Sequence, residues 1–326
     1  MPFWKRSSPE EKQRLLQQQQ NDTISQQALE AGGLPTRATQ RLTEELNAGH
    51  PLFTSDLSAK EFLMTREQGY QPLSQVMGSS IYQVGWQYTR QYSWGTSIQE
   101  MKTVSEAHQH AAKLALGRLE QEARLLRAHG VIGVRFTQRD YTWGSNLIEY
   151  TAIGTAIKLP NTPLSSRPFL SDLSGQEFWT LLQAGYYPAG VVTGYSSFWI
   201  ALGSQMTQQI RGWWGSGSYN QEVVPFTQGV YTARHQAMQQ ADAMGKSMGA
   251  LGVVGMHIEN NRNVVEYETD NPQRYYLDLF VHFAVVGTAI ISVKKDHVIP
   301  KPKPMLTFTD LRPGRYGQNK ELTFKR

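Results

Sequence analysis

The chain contains no cysteine, which excludes disulfides, thiolate catalysis, zinc knuckles and iron–sulfur ligation. Long apolar runs are missing as well. The two longest, 131–134 and 280–291, are broken by Gly or His, and a membrane-spanning helix of about 20 apolar residues fits nowhere. The first residues, MPFWKRSSPEEKQRLLQQQQ, turn acidic and Gln-rich where a signal's apolar core belongs. They read as lacking a secretory leader, and the expected location is cytoplasmic. The G-x-x-x-x-G-K-[ST], H-E-x-x-H and G-x-S-x-G patterns are all absent, so the expectation is a protein that is not an enzyme. The Gly-rich stretch 212–220 lacks a following Lys-Ser/Thr and reads as a loop.

What is present is unevenly placed. Residues 294–326 carry nine Lys and Arg against three acids, a charge of +6, whereas residues 1–50 carry six of each sign. The sequence pI of 9.2 therefore belongs to a basic tail that also holds Pro300, Pro302, Pro304 and Pro313. Such a tail reads as an extended arm lying on an acidic neighbour: nucleic acid, anionic lipid or a copy of the same protein. At the other end, Ser8-Pro9-Glu10-Glu11 starts a helix that runs through four Gln to Gly32-Gly33-Leu34-Pro35, and a second helix begins at Thr36. This arm is too polar to make a core and is expected to be disordered until it docks.

The middle of the chain repeats itself. Phe53, Ser55, Asp56, Leu57, Ser58, Glu61, Phe62, Gly69, Tyr70, Pro72, Val76 and Gly78 recur at a constant offset of 116, from Phe169 to Gly194. GVIGV at 130–134 matches GVVGM at 252–256, offset 122, and IGTAI at 153–157 matches VGTAI at 286–290, offset 133. The drift in offset marks insertions in the second copy, near 200–225 and 258–282. Each unit opens with an S-x-x-E capping box (Ser58 with Glu61, Ser174 with Glu177), a Leu–Phe staple and a terminating Gly with Pro beyond. A strand, a longer helix and a β-hairpin follow. Thr103 with Glu106 is expected to cap the long helix of the first copy, and the hairpin turns are expected at Trp143-Gly144 and at 269–272. The fold class is thus α+β, a tandem repeat of a small helix-strand-helix-hairpin module with an antiparallel or mixed sheet. The domains read as 1–50 arm, 51–160 first repeat, 161–295 second repeat and 296–326 tail.

These motifs resemble the YbjQ-type family, often labelled heavy-metal-binding domains. Gly69-Tyr70, Val76 and Gly78 are similar to its early strand, and Arg118, Glu122 and Arg124 to its Ala-rich helix. Gly130 to Val134 and Gly154-Thr155-Ala156 are similar to its later strands, and the second copy offers the same set from Gly185-Tyr186 to Gly287-Thr288-Ala289. The resemblance implies a small domain that assembles into homo-oligomeric rings, commonly pentamers, without an established reaction.

Two constellations stand apart from the repeat. Without Cys, a divalent metal would need His and carboxylates. His108 and His110 point to different sides of a helix, whereas His257 and His282 are symmetric about 269.5 and would face each other across a hairpin. That pair is the candidate metal site. Its counterparts in the first copy, Arg135 and Glu149, would make a cross-strand ion pair, so a plain polar pair is the alternative. The second constellation is aromatic. Trp86, Tyr88, Tyr92 and Trp94 cluster beside Arg90, and Trp199, Trp213, Trp214 and Tyr219 beside Arg211. Rings with Arg and little Lys are the composition of interface cores, which makes Trp86, Trp94, Trp199, Trp213, Trp214 and Tyr219 the candidate interface. Nucleic acid lacks electrostatic support there, and a membrane surface is the weaker alternative. The function expected is a non-enzymatic, ring-like scaffold or partner-binding protein, with a metal- or small-ligand-binding protein as the competing class.

Overall fold

A computed structural model describes residues 9–48, 53–85, 87, 95–141, 147–203, 206–207, 220, 222–268, 275–292, 307–308 and 320–321. The chain is mixed α+β, as the alternating periodicities predict. Two helices, α1 (Pro9–Glu30) and α2 (Thr36–Asn47), precede a first half made of α3 (Ala59–Glu67), β1 (Gln71–Gln83), β2 (Ser97–Glu100), α4 (Lys102–Leu125), β3 (Gly130–Tyr141) and β4 (Leu147–Lys158). The second half holds β5 (Phe169–Leu170), α5 (Gly175–Gln183), β6 (Tyr186–Ala201), α6 (Val224–Ser247), β7 (Gly252–Glu268) and β8 (Tyr275–Ser292). All of this lies in one compact unit, Met1–Ile291, apart from the last residue of β8. In the unit Ser292–Arg326 the described residues form one short antiparallel pair, β9 (Thr307–Phe308) with β10 (Lys320–Glu321).

Local chemistry sets the helix starts. Ser58 and Ser174 each accept the N–H of the Glu three residues on, and Glu61 and Glu177 reach back to the cap backbone, so two otherwise orphaned donors are satisfied at each end. Gly69 and Gly185 follow the helices at φ 76° and 85°, the left-handed position that a side chain would strain. The box expected at Thr103 and Glu106 does not form. Helix α4 begins at Lys102 after Met101 with no side-chain cap from that residue, and the Thr103 N–H donates to Gln87 Oε1 at 2.9 Å. A loop side chain does the capping, which spacing along the helix does not reveal.

Two four-stranded sheets run in the orders β1-β4-β3-β5 and β2-β6-β8-β7. The halves therefore exchange edge strands. Strand β2, from the first half, pairs antiparallel with β6, and β5, from the second, pairs parallel with β3. The second exchange continues beyond the paired residues of β5. Phe169 N–H donates to His129 O and Ser171 N–H to Val131 O, while Gly133 N–H donates to Leu173 O and Val134 N–H to Ser171 O, all between 2.8 and 3.1 Å.

Between the sheets lies α4. On one side it packs with Val76, Val131 and Ala152 of the first sheet. On the other, Ala107, Ala111, Ala112 and Ala115 share a buried cluster with Tyr195 and Ala284 of the second sheet. Successive strand residues point to opposite faces, so β6 turns Tyr195 toward α4 and Val192, Phe198 and Ile200 toward α6. The order of layers is sheet, helix, sheet, helix. Close approach is needed at both helix–strand contacts. A Cβ on Gly78 would lie 1.9 Å from Ala115 O, and one on Gly194 would lie 2.0 Å from Ala237 O.

The hairpins depart from the expected register. Strand β3 carries a bulge between Ile132 and Arg135, and β7 carries one between Val254 and His257, with Gly133 at φ 63° and Gly255 at φ 64°. An extra residue at a bulge displaces everything beyond it. That shift is a single position; the larger part of the difference is the centre of the ladder, near 271.5 rather than 269.5, which sets His257 opposite Val286 and His282 opposite Asn261. In the first half Arg135 stands opposite Ile153 and Glu149 opposite Arg139. Neither cross-strand pair expected from symmetry exists. Both turns, at 142–146 and 269–274, lie outside the described residues.

Two glycines of the first half separate close packing from helix propensity. Gly78→Ala is expected to cost about 2 kcal/mol or more, because backbone atoms must move to admit the methyl group. Gly117→Ala in α4, where an added Cβ meets nothing within 4 Å, is expected to gain about 0.5–1 kcal/mol. Urea denaturation of both variants measures the two effects against each other.

Candidate functional site

The small side chains of α4 between residues 107 and 115 leave room for one large polar group there, and His108 takes it. Its ring lies 4.1 Å from that of His282, centroid to centroid, with Tyr195 stacked near both rings. His108 Nδ1 shares a 2.8 Å hydrogen bond with Tyr150 Oη, and that hydroxyl donates to Gln138 Oε1 at 2.7 Å, so the imidazole is the donor in this chain of bonds. His282 Nδ1 shares a 2.8 Å bond with Ser197 Oγ, and Ser197 N–H donates to Ser105 Oγ. Burial, aided by the neighbouring His282, pushes the His108 pKa down to about 3. The imidazole is thus neutral at physiological pH.

A serine bonded to a histidine invites a catalytic reading, which burial rejects. Ser197 is fully enclosed and His282 nearly so, leaving a substrate no approach to the oxygen. The cavity that does open nearby, about 180 Å³, lies between the sheets. Val134, Phe136, Tyr150 and Tyr195 form part of its wall, with Gln138 and His257 among its polar lining. It is smaller than the roughly 300–1,000 Å³ of ordinary ligand pockets.

Of the residues singled out from the sequence, His257 is exposed on β7, 3.9 Å from Glu259, and acts electrostatically on Asp172. Burial pushes the Asp172 carboxyl up, partly offset by its bond from the Thr288 hydroxyl. His282 is four strand positions from the residue opposite His257, about 13 Å along the ladder at 3.3 Å per residue. The two imidazoles do not meet, and His282 stacks on His108 instead. The polar partner of position 135 likewise lies off the hairpin: Arg135 forms an ion pair with Asp56. Trp199 is half-buried on β6 and spends its indole N–H on Asp278 Oδ2 at 2.8 Å. Trp86, Trp94, Trp213, Trp214 and Tyr219 lie outside the described residues. The pairing of His108 with His282 was missed because they belong to different halves. The signal available was the alanine stripe on both sides of His108, which marks it as buried.

The arm is held rather than loose. Arg118, buried on α4, donates to Leu29 O, Gly33 O and Ser79 O at 2.6–3.1 Å, closing the C-terminal end of α1 against β1. Glu122 accepts from Met77 N–H and from Arg41 of α2. Burial raises its pKa, and those two partners pull it back. Leu42 of α2 is fully buried in the first core. The expectation of an arm disordered until docking thus meets a docking site in the same chain: Arg118 and Glu122 on α4.

The family model described as "Putative heavy-metal-binding", YbjQ_1, matches residues 76–160. The encapsulin nanocompartment protein Rv1762c of Mycobacterium tuberculosis (strain ATCC 25618 / H37Rv) is 37% identical over 220 residues, which is 66% of this chain and 80% of that protein. The donor set does not fit the metal of the family's description. Among the described residues no three His, Asp or Glu gather to hold an ion. Of the histidines in the matched segment, His129 commits Nδ1 to Leu159 N–H and Nε2 to Thr162 O, His108 is bonded to Tyr150, and His110 lies exposed beside Tyr82. Among the described residues no helix is long and apolar enough to cross a membrane.

Two measurements follow from this geometry. With the folded His108 pKa near 3 and an ordinary value near 6.5, the unfolded chain binds more protons between those limits. Stability contributed at this position is complete above pH 6.5 and declines as pH falls. Glu122 and Asp172, with raised pKa values, act in the opposite sense. The contrast with His108→Gln isolates the histidine: between pH 7 and 5 the native protein should lose about 2 kcal/mol more than the variant, at about 1.4 kcal/mol per pH unit, read by urea titration. For the arm, Arg118→Leu removes charge-assisted bonds to two carbonyls of the α1–α2 corner. Trypsin cleavage at Arg37 and Arg41 should accelerate at least about tenfold while β3 and β4 stay intact, as followed by mass spectrometry.

Proposed function

The chain belongs to the family of the Mycobacterium tuberculosis encapsulin nanocompartment protein Rv1762c, and we propose that it is a non-enzymatic cytoplasmic protein that associates with an encapsulin compartment. The observation that carries this reading is the 37% identity extending over 80% of that relative. The chemistry of the middle layer supports it. The histidines there are buried, hydrogen-bonded and, in His108, neutral, as suits a core rather than a reaction centre.

We further propose that the two halves are tandem copies of one YbjQ-like module and that the protein assembles into a homo-oligomeric ring. Support for duplication comes from correspondences beyond sequence identity. The bulge glycines 133 and 255 share one conformation, and the close approaches at Gly78 and Gly194 involve equivalent helix carbonyls. Asp56 and Asp172 each donate a backbone N–H to the equivalent threonines, Thr155 and Thr288, at 3.0 Å. In this reading the basic tail recruits the partner and the Trp-bearing loops belong to interfaces.

Co-expression with an encapsulin tests the proposal. The full chain is expected to co-sediment with the compartment on a density gradient, and a chain truncated after residue 295 is expected to lose most of that association. Failure of the full chain to co-sediment at low and moderate salt would remove the encapsulin reading. Undiminished association of the truncated chain would remove only the role of the tail.

A further inference from the structure

The contact between the two halves has two sides, and each side has a counterpart whose backbone edge this contact leaves unused, although Glu61 accepts from Gly175 N–H and Val254 packs against the cluster of Ile132, Leu173 and Phe178. Residues 169–178 of the second half lie on the outer edge of β3 in the first. The equivalents of the docked segment are residues 53–62, at offset 116, and the equivalents of its dock are residues 251–256, at the start of β7, at offset 122. Among the described residues β7 is the last strand of its sheet. We propose that residues 53–62 of one copy lie along 251–256 of another, so that the chain joins to itself head to tail through a repetition of its own internal interface. This inference rests on the self-association reading above and names the surfaces that carry it.

Burial separates the used sides from the unused ones. Phe169 is 6% exposed and its equivalent Phe53 is 42% exposed; His129 is 5% exposed and its equivalent Leu251 is 55% exposed. Val131, Ile132 and Phe178 are fully buried, whereas Val253, Val254 and Phe62 are only half-buried. The unused sides are also apolar, with Phe53 and Leu251 both exposed. An apolar strand edge of this kind is a template for pairing unless something covers it.

The unused segment is already shaped for docking. Phe53 stacks on Phe62 with centroids 5.1 Å apart and planes at 16°, and Phe169 stacks on Phe178 at 5.5 Å and 16°. Ser55 and Asp56 are tied to Thr155 as Ser171 and Asp172 are tied to Thr288. No ordering of the segment is needed on contact, which removes a principal cost of association. Carrying the internal bonds across, Ser55 N–H would donate to Val253 O, Gly255 N–H to Leu57 O and Met256 N–H to Ser55 O. Because the two surfaces differ, the contact is heterologous. It closes into a ring or propagates as a filament according to its rotation.

The absence of native cysteine makes a direct test available. In the full chain, Thr54→Cys with Val253→Cys places thiols at the pair equivalent to Leu170 and Val131, which are register partners. A short bis-maleimide should link this double variant into dimers and higher multiples. Leu170→Cys with Val131→Cys should be bridged within one chain and calibrates the reagent. Phe53→Glu should reduce the mass in sedimentation to that of one chain, with the circular dichroism spectrum unchanged. A native oligomer that neither cross-links between copies nor responds to Phe53→Glu would overturn this interface and leave the ring reading standing. A native protein that sediments as one chain across the micromolar range would overturn both.

Discussion

The structure depends on how thin α4 can be. A helix packed on one sheet is commonplace, but α4 is covered on two sides, and two sheets can approach it only where its side chains are small. The alanines at 107, 111, 112 and 115 supply that thinness, and Gly78 lets the helix backbone reach the first sheet. The single large side chain admitted to the alanine region, His108, has to be neutral and hydrogen-bonded, because an imidazolium there would lose its hydration without a compensating partner. The stack of His108 on His282 and the bonds to Tyr150 and Ser197 follow from that requirement, and so does the chemical quiet of the site.

The exchange of edge strands has a related origin. A sheet with an unpaired edge in a compact protein needs cover, and the nearest cover for each sheet is the adjoining segment of the other half. Strand β2 serves β6 and β5 serves β3. The glycine bulges then bend β3 and β7 so that their polar side chains turn toward the leading segments: Arg135 to Asp56, and His257 within the field of Asp172. What symmetry of the sequence suggested as pairing across a hairpin is pairing between a bulge and the segment that precedes each half.

Legibility differed sharply between elements. The helices α3 and α5 could be read from their capping boxes because every partner lies within three or four residues. The strands β3, β4, β7 and β8 were visible as apolar runs around turn residues. Helix α4 was expected with its cap at Thr103, two residues beyond the N-cap position Met101, since the capping side chain is that of Gln87, 16 positions before Thr103. The histidine pairing was misread for the same reason on a larger scale. His108 and His282 are 174 positions apart, and a hairpin whose ladder is centred near 271.5 rather than 269.5 places four positions between His282 and the residue opposite His257.

By itself, the amino-acid sequence determined the α+β class, the order of the helices and the long strands, the helix starts that depend on near neighbours and the exclusion of thiol chemistry. These are set by interactions that act along the chain. Only the tertiary structure decided which strand completes which sheet, which histidines touch, and that the arm is fastened by Arg118 and Glu122 to the chain that bears it. Those outcomes depend on groups brought together from distant positions. The physical reason is that periodicity records which face of an element is apolar, while the identity of the opposing face is a property of packing.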